Sequence, residues 1–245
     1  MSVAMLCLLG LPAVAHADYI APNLAPGSAY RLIFVTSDSI TATSSDEATY
    51  NSFVNEEASQ NSSLPTTTWT AITSTESQSA VGNVDTVCST EACLNAPIYL
   101  VDGTTLIAAN QASLFGGTLN TSIYETQSGG QPSSSYIWTG STTDGQINSG
   151  NALGDSGAEI GNLSFTNGSG FYTDILAFAF GWDFSASASL PVLAISGELT
   201  VPSSVPEPAS SLLLLTSLAG TGLVLRRRRG NRQTPQALAT PANCV

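Results

Sequence analysis

The chain has 245 residues, of which 42% are hydrophobic and only 10% charged, with 18 acidic residues, 6 basic ones and a single histidine. All 18 carboxylates lie between Asp18 and Glu207, where Arg31 is the only base, so that 18 negative charges against one positive leave a net −17. Nucleic acid and anionic membrane surfaces are excluded as partners of this stretch, because each phosphate contact draws on a Lys or Arg.

Residues 6–14 form a short apolar run that ends in Ala15-His16-Ala17. This is the small-x-small pattern cut by signal peptidase, so residues 1–17 read as a signal peptide and the mature chain begins at Asp18. A basic n-region is missing ahead of Leu6, and a start placed further upstream would supply it. Residues 18–28, broken by Pro22, Pro26 and Gly27, form an extended leader. The ectodomain then spans 29–201, one domain by length and by the even spacing of its turn residues.

Tyr30-Arg31-Leu32-Ile33-Phe34-Val35-Thr36 is β-branched and aromatic, hence a strand. A helix follows, with Ser44 as N-cap, Glu47 as its capping-box partner, and Tyr50, Phe53, Val54 and Ala58 on one face. Residues 69–73 and 97–101 read as strands, and an amphipathic stretch runs from Leu106 to Phe115, stopping at Gly116-Gly117. Residues 136–140 read as a strand that leads to a turn at Asp144-Gly145, 146–170 as irregular, 175–182 as apolar, and 190–201 as a final strand.

Cys7 leaves with the signal peptide and Cys244 lies in the tail, which isolates Cys88 and Cys93 in the exported part. A local disulfide is expected, because an exported chain meets an oxidising compartment. A zinc or redox site fits less well, since Cys-x4-Cys lacks a second ligand pair and is not Cys-x2-Cys.

The ectodomain is followed by a Pro-rich linker, 202–208, which contains Val205-Pro206-Glu207-Pro208. Next comes an uncharged, largely apolar stretch of 17 residues, 209–225, and then Arg226, Arg227, Arg228 and Arg229. As a helix the apolar stretch would reach roughly 26 Å, slightly less than a hydrocarbon core of about 30 Å, and snorkelling arginines make up the difference. It is read as a transmembrane helix, with 226–245 as a basic cytoplasmic tail by the positive-inside rule. Pro-Glu-Pro, apolar stretch and arginine cluster together resemble the PEP-CTERM sorting signal. That resemblance implies two processing partners, signal peptidase and the membrane protease exosortase. It implies an inner-membrane intermediate held by the C-terminal helix, and then release to the cell surface or the extracellular space. The 16 residues that follow Arg229 depart from the family's pattern.

The order of elements within 30–200 is similar to the endostatin-like branch of the C-type-lectin-like fold. The similarity rests on Trp69-Thr70-Ala71-Ile72, Ala96-Pro97-Ile98-Tyr99-Leu100 with Gly103, Leu114-Phe115-Gly116-Gly117, and Ile137-Trp138-Thr139-Gly140-Ser141 with Asp144-Gly145. It implies an α+β ectodomain with a loop-rich second half, in which residues 30–36 lie beside 192–199. The two core disulfides usual in animal members have no counterpart. Nor do the binding sites: Gln131-Pro132-Ser133 lacks the carboxylate of a calcium-dependent sugar loop, and His16, the lone histidine, leaves with the signal peptide.

A mature chain without His or Lys, and with its exported cysteines paired, cannot assemble a Ser-His-Asp site, a Schiff-base lysine or a His-ligated metal. Paired carboxylates remain as hydrolase candidates, Asp144 with Asp155 or Asp174 with Asp183, though each also suits a polar turn. No cofactor and no metal are expected. Trp69 and Trp138 read as core, whereas Trp182 with Asp183, in a loop-rich stretch, is the candidate ligand contact. The expectation is an exported, non-enzymatic structural or adhesive module in an exopolysaccharide or biofilm layer, with polysaccharide as a partner. The alternatives are a glycan- or calcium-binding lectin and a secreted carboxylate-dependent hydrolase.

Overall fold

A computed structural model of the protein describes residues 19–116, 119–163 and 182–203. The chain divides into two units, Met1–Pro202 and Ser203–Val245, and every element below belongs to the first. Its centre is β1, Ala29–Val35, in which every residue after Ala29 is buried. Antiparallel β10 (Leu193–Ser196) lies on one side, with Ile33 opposite Ile195, and parallel β4 (Ile98–Leu100) on the other, with Arg31 opposite Ile98. β3 (Trp69–Ala71) and β5 (Leu106–Ala108) complete the row in the order β3-β10-β1-β4-β5, and β11 (Leu199–Thr200) also pairs with β1. The expected meeting of residues 30–36 with 192–199 is therefore present.

Alternation of side chains sends β1 into two cores, one on each face of the sheet. Tyr30, Leu32 and Phe34 pack with Tyr50, Val54 and Ala58 of α1 (Glu47–Ser59), whereas Ile33 and Val35 pack with Ala80 and Val84 of α2 (Ala80–Asp85) and Leu114 and Phe115 of α4 (Gln111–Gly116). A strand covered on both faces reads as an unbroken apolar run, and that made it visible in the sequence. A second sheet, β6-β7-β8 (Tyr136–Trp138, Gly157–Asn162, Asp183–Ser185), sends Trp138, Ala158 and Ile160 into the α1-side core. β2 (Ile40–Thr41) and β9 (Ser189–Leu190) form a short third pair.

The expected fold class is corrected. In place of an α+β, lectin-like module with a loop-rich second half, the described residues form a sheet-rich mixed α/β structure with few helices, of which α1 alone exceeds six residues. No helix among the described residues is long and apolar enough to cross a membrane, against the transmembrane helix expected at the C-terminal end. Residues 209–225, where it was placed, lie outside the described residues, as do the signal peptide and the segment 204–245.

The local departures have separate causes. Residues 157–162 contain two glycines, a poor signal for a strand, but pairing with β6 and β8 outweighs propensity. The stretch 106–115 is two elements, because Leu106-Ile107-Ala108 pairs with β4 before Asn110 caps α4 by accepting the Ser113 N–H at 2.7 Å. Helix α1 is capped two residues later than expected: Asp46 is its cap, accepting the Ala48 N–H at 3.0 Å, and Glu47 turns inward.

Candidate functional site

Three short helices meet on the α2 face of the sheet. Ser79 caps α2 by accepting the Gly82 N–H at 3.1 Å, and Thr90 caps α3 (Glu91–Leu94) by accepting the Cys93 N–H at the same distance. The disulfide Cys88–Cys93, with Cα atoms 5.4 Å apart, ties the end of α2 to α3. Between these helices and α4 lies a cleft of about 350 Å³. Val81 and Asp85 line it from α2, Leu94 and Asn95 from the end of α3, and Gln111, Ala112 and Phe115 from α4.

Behind the cleft stands Arg31, fully buried in β1. Its Nε donates to the Ser196 carbonyl at 2.7 Å and Nη1 to Gln111 Oε1 at 2.8 Å, while Gln111 Nε2 donates onward to Asp85 Oδ1 at 2.6 Å. A guanidinium inside the protein is thus joined to a carboxylate at the rim through one amide. Burial lowers the Arg31 pKa to about 10, with the Asp85 charge acting against that shift, so the group stays charged at neutral pH. Its Nη2 is buried without a hydrogen-bond partner. The chain fixes the Gln111 amide and the Asp85 carboxylate in one orientation on the cleft wall.

A second buried polar cluster lies between α1, β3 and α2. Glu47 Oε1 accepts from Thr73 Oγ1 at 2.5 Å and from Asn83 Nδ2 at 2.9 Å, whereas Oε2 is buried and unpartnered. Burial pushes the Glu47 carboxyl up to about 8 from an ordinary 4.5, and neighbouring Asp46 adds to the rise. Asn83 also donates to the Ala71 carbonyl at 2.9 Å and to Asn51 Oδ1 at 3.0 Å, so one amide locks three elements together.

The residues singled out from sequence are dispersed. Cys88 and Cys93 form the expected disulfide, outside the cleft lining. Trp69 and Trp138 are buried, and Trp138 Nε1 donates to the Ile40 carbonyl at 2.9 Å. Trp182, 58% exposed, immediately precedes β8 and Asp183 opens that strand, and both lie outside the cleft lining. Asp144 Oδ1 accepts from Thr142 Oγ1, and Asp155 Oδ2 accepts the Ala152 N–H at 2.9 Å, so each stabilises its own turn. Asp174 lies outside the described residues, as do Ala15, Ala17, the segment from Val205 to Pro208, and Arg226 to Arg229. Among the described residues no group of three His, Cys, Asp or Glu is placed to hold a metal ion.

Sequence reasoning missed Gln111, Asn95 and Asp85 as a group. One signal for them was available: a lone arginine inside an apolar strand requires buried acceptors, although its sequence neighbours do not say which. Neither a protein-family model nor a characterised protein matches the chain in sequence.

Proposed function

We propose that the protein is an exported cell-surface or matrix component, sorted through its Pro-Glu-Pro tail, whose folded unit is a non-enzymatic structural or adhesive module of an exopolysaccharide layer. The observation that carries this reading is the tail itself, Val205-Pro206-Glu207-Pro208 followed by an apolar stretch and Arg226 to Arg229, at the end of a chain opened by a signal-peptidase pattern. The Cys88–Cys93 disulfide supports it, because such bonds persist where the surroundings are oxidising. The cleft supports binding over catalysis: among the described residues Asp85 is the one carboxylate in its lining, and general acid–base hydrolysis of a glycoside draws on two.

Mass spectrometry of the protein recovered from outer fractions tests the reading. A chain that begins at Asp18 and ends near Glu207 or Pro208 is the expected product. An outer-fraction protein that retains its arginine cluster overturns sorting through the tail, and a folded protein confined to the cytosol overturns export.

A further inference from the structure

We propose that the α2–α3–α4 cleft binds a neutral polyhydroxyl ligand, one sugar ring of a polysaccharide, and so supplies the module's grip on its layer; this rests on the matrix reading above. Its volume of about 350 Å³ lies at the small end of the range for ligand pockets, which suits a ring or two and not an extended chain.

The lining supplies what a sugar asks for. Val81, Leu94, Ala112 and Phe115 offer apolar wall for C–H faces, while Asp85 on α2 and Asn95 just after α3 bring a carboxylate and an amide, and Gln111 on α4, already bonded to Arg31 and Asp85, fixes the carboxylate. An ionised carboxylate accepts through two oxygens, and an amide both donates and accepts, so Asp85 beside an amide can hold two neighbouring hydroxyls.

Charge selects against other ligands. An anion would meet Asp85 at the rim of a strongly acidic module, whereas the Arg31 guanidinium, linked through Gln111, offsets the Asp85 charge and leaves the cleft no unbalanced carboxylate to hold a cation. A neutral ligand needs neither charge. Arg31 acts here as a positioning residue: through Gln111 it holds the Asp85 carboxylate in place, and with the Cys88–Cys93 clip it leaves little for the ligand to order on binding.

The test is calorimetric titration of the full chain, disulfide intact, with glucose, galactose and N-acetylglucosamine and their short oligomers, beside glucuronic acid and glucosamine as charged counterparts. At least one neutral sugar is expected to bind more tightly than both charged ones. Asn95→Ala should weaken that binding by about tenfold, the loss of one well-made hydrogen bond to a neutral ligand. Ala112→Trp, which fills the cleft from an exposed helix position, should abolish it, and unchanged melting of both variants shows that the fold is intact. Binding that survives Ala112→Trp, binding confined to a charged sugar, or no binding of any neutral sugar or oligomer each overturns the proposal. A correctly trimmed chain that binds no sugar defeats the cleft alone, whereas sugar binding by an untrimmed one defeats only the sorting.

Discussion

Glu47 shows how little a local pattern says about a side chain's final role. Its spacing from Ser44 fits a capping box, yet Asp46 caps the helix and Glu47 is 7% exposed, bonded to Thr73 and Asn83. Burial from above is what no window of neighbouring residues reports, since Thr73 and Asn83 arrive from later elements. The consequence can be measured. A carboxyl whose pKa is raised by folding keeps its proton in the native state while the unfolded chain has lost it. Stability therefore falls as pH rises, starting near 4.5 and continuing to about 8, with a slope approaching 1.4 kcal/mol per pH unit, about the free energy of one proton's linkage. Below that window the contribution is constant. Asp46 on α1 and Tyr50 one turn later face the same group, and the Tyr50 hydroxyl, held on the Ser44 carbonyl at 2.8 Å, is pushed up to about 12 and stays neutral throughout. Glu47→Gln, which keeps the size and shape of the carboxyl without its titration, should flatten the melting temperature between about pH 5 and about pH 8. Parallel slopes for the two proteins would refute the assignment.

Elements were legible in proportion to how far their own residues decide them. β1 and β4 announce themselves because burial on both faces leaves nothing polar to interrupt the run except Arg31. α2 and α3 were not anticipated. Each is too short for a helical period to repeat, and each is held by a capping side chain and by the bond between Cys88 and Cys93, to which α2 adds only Ala80 and Val84 in the core. The cysteine pair itself was readable, since setting aside Cys7 and Cys244, in the expected signal peptide and tail, left no other partner. Its structural role was not readable, because the cleft lined by the helices it ties also needs α4, which reaches the site through Gln111 and Arg31. Replacing both cysteines by serine should lower global stability by about 2 kcal/mol, the chain-entropy value for so short a loop. Because α2 and the end of α3 both line the cleft, the same change should weaken sugar binding by more than the loss of folded protein accounts for. Denaturant unfolding beside calorimetry checks both, and equal binding in the oxidised and serine proteins would show that the clip serves the fold alone.

At the scale of the molecule, chain ends and charge set the design. The sheet closes because residues 193–196, far along the chain, lie antiparallel to β1, a pairing expected from the resemblance even though the lectin-like class was not upheld. What misled the class assignment was the stretch after residue 146: its Gly, Ser and Asn content signals loop, while β7 draws its order from β6 on one side and β8 on the other. Charge, by contrast, needs no fold to be read. With 18 carboxylates between Asp18 and Glu207 opposed by Arg31 alone, this stretch repels itself, and compaction brings its charges closer. Salt should relieve the repulsion, because the screening length falls from about 30 Å at roughly 0.01 M to about 10 Å at roughly 0.1 M. The melting temperature at neutral pH should therefore rise over that range of sodium chloride. The rise should shrink toward pH 4, where carboxylates take up protons and the net charge falls. Differential scanning calorimetry at two salt concentrations and two pH values decides the matter: a salt effect of equal size at both pH values would mean that ion binding at a particular place, and not self-repulsion, sets the response.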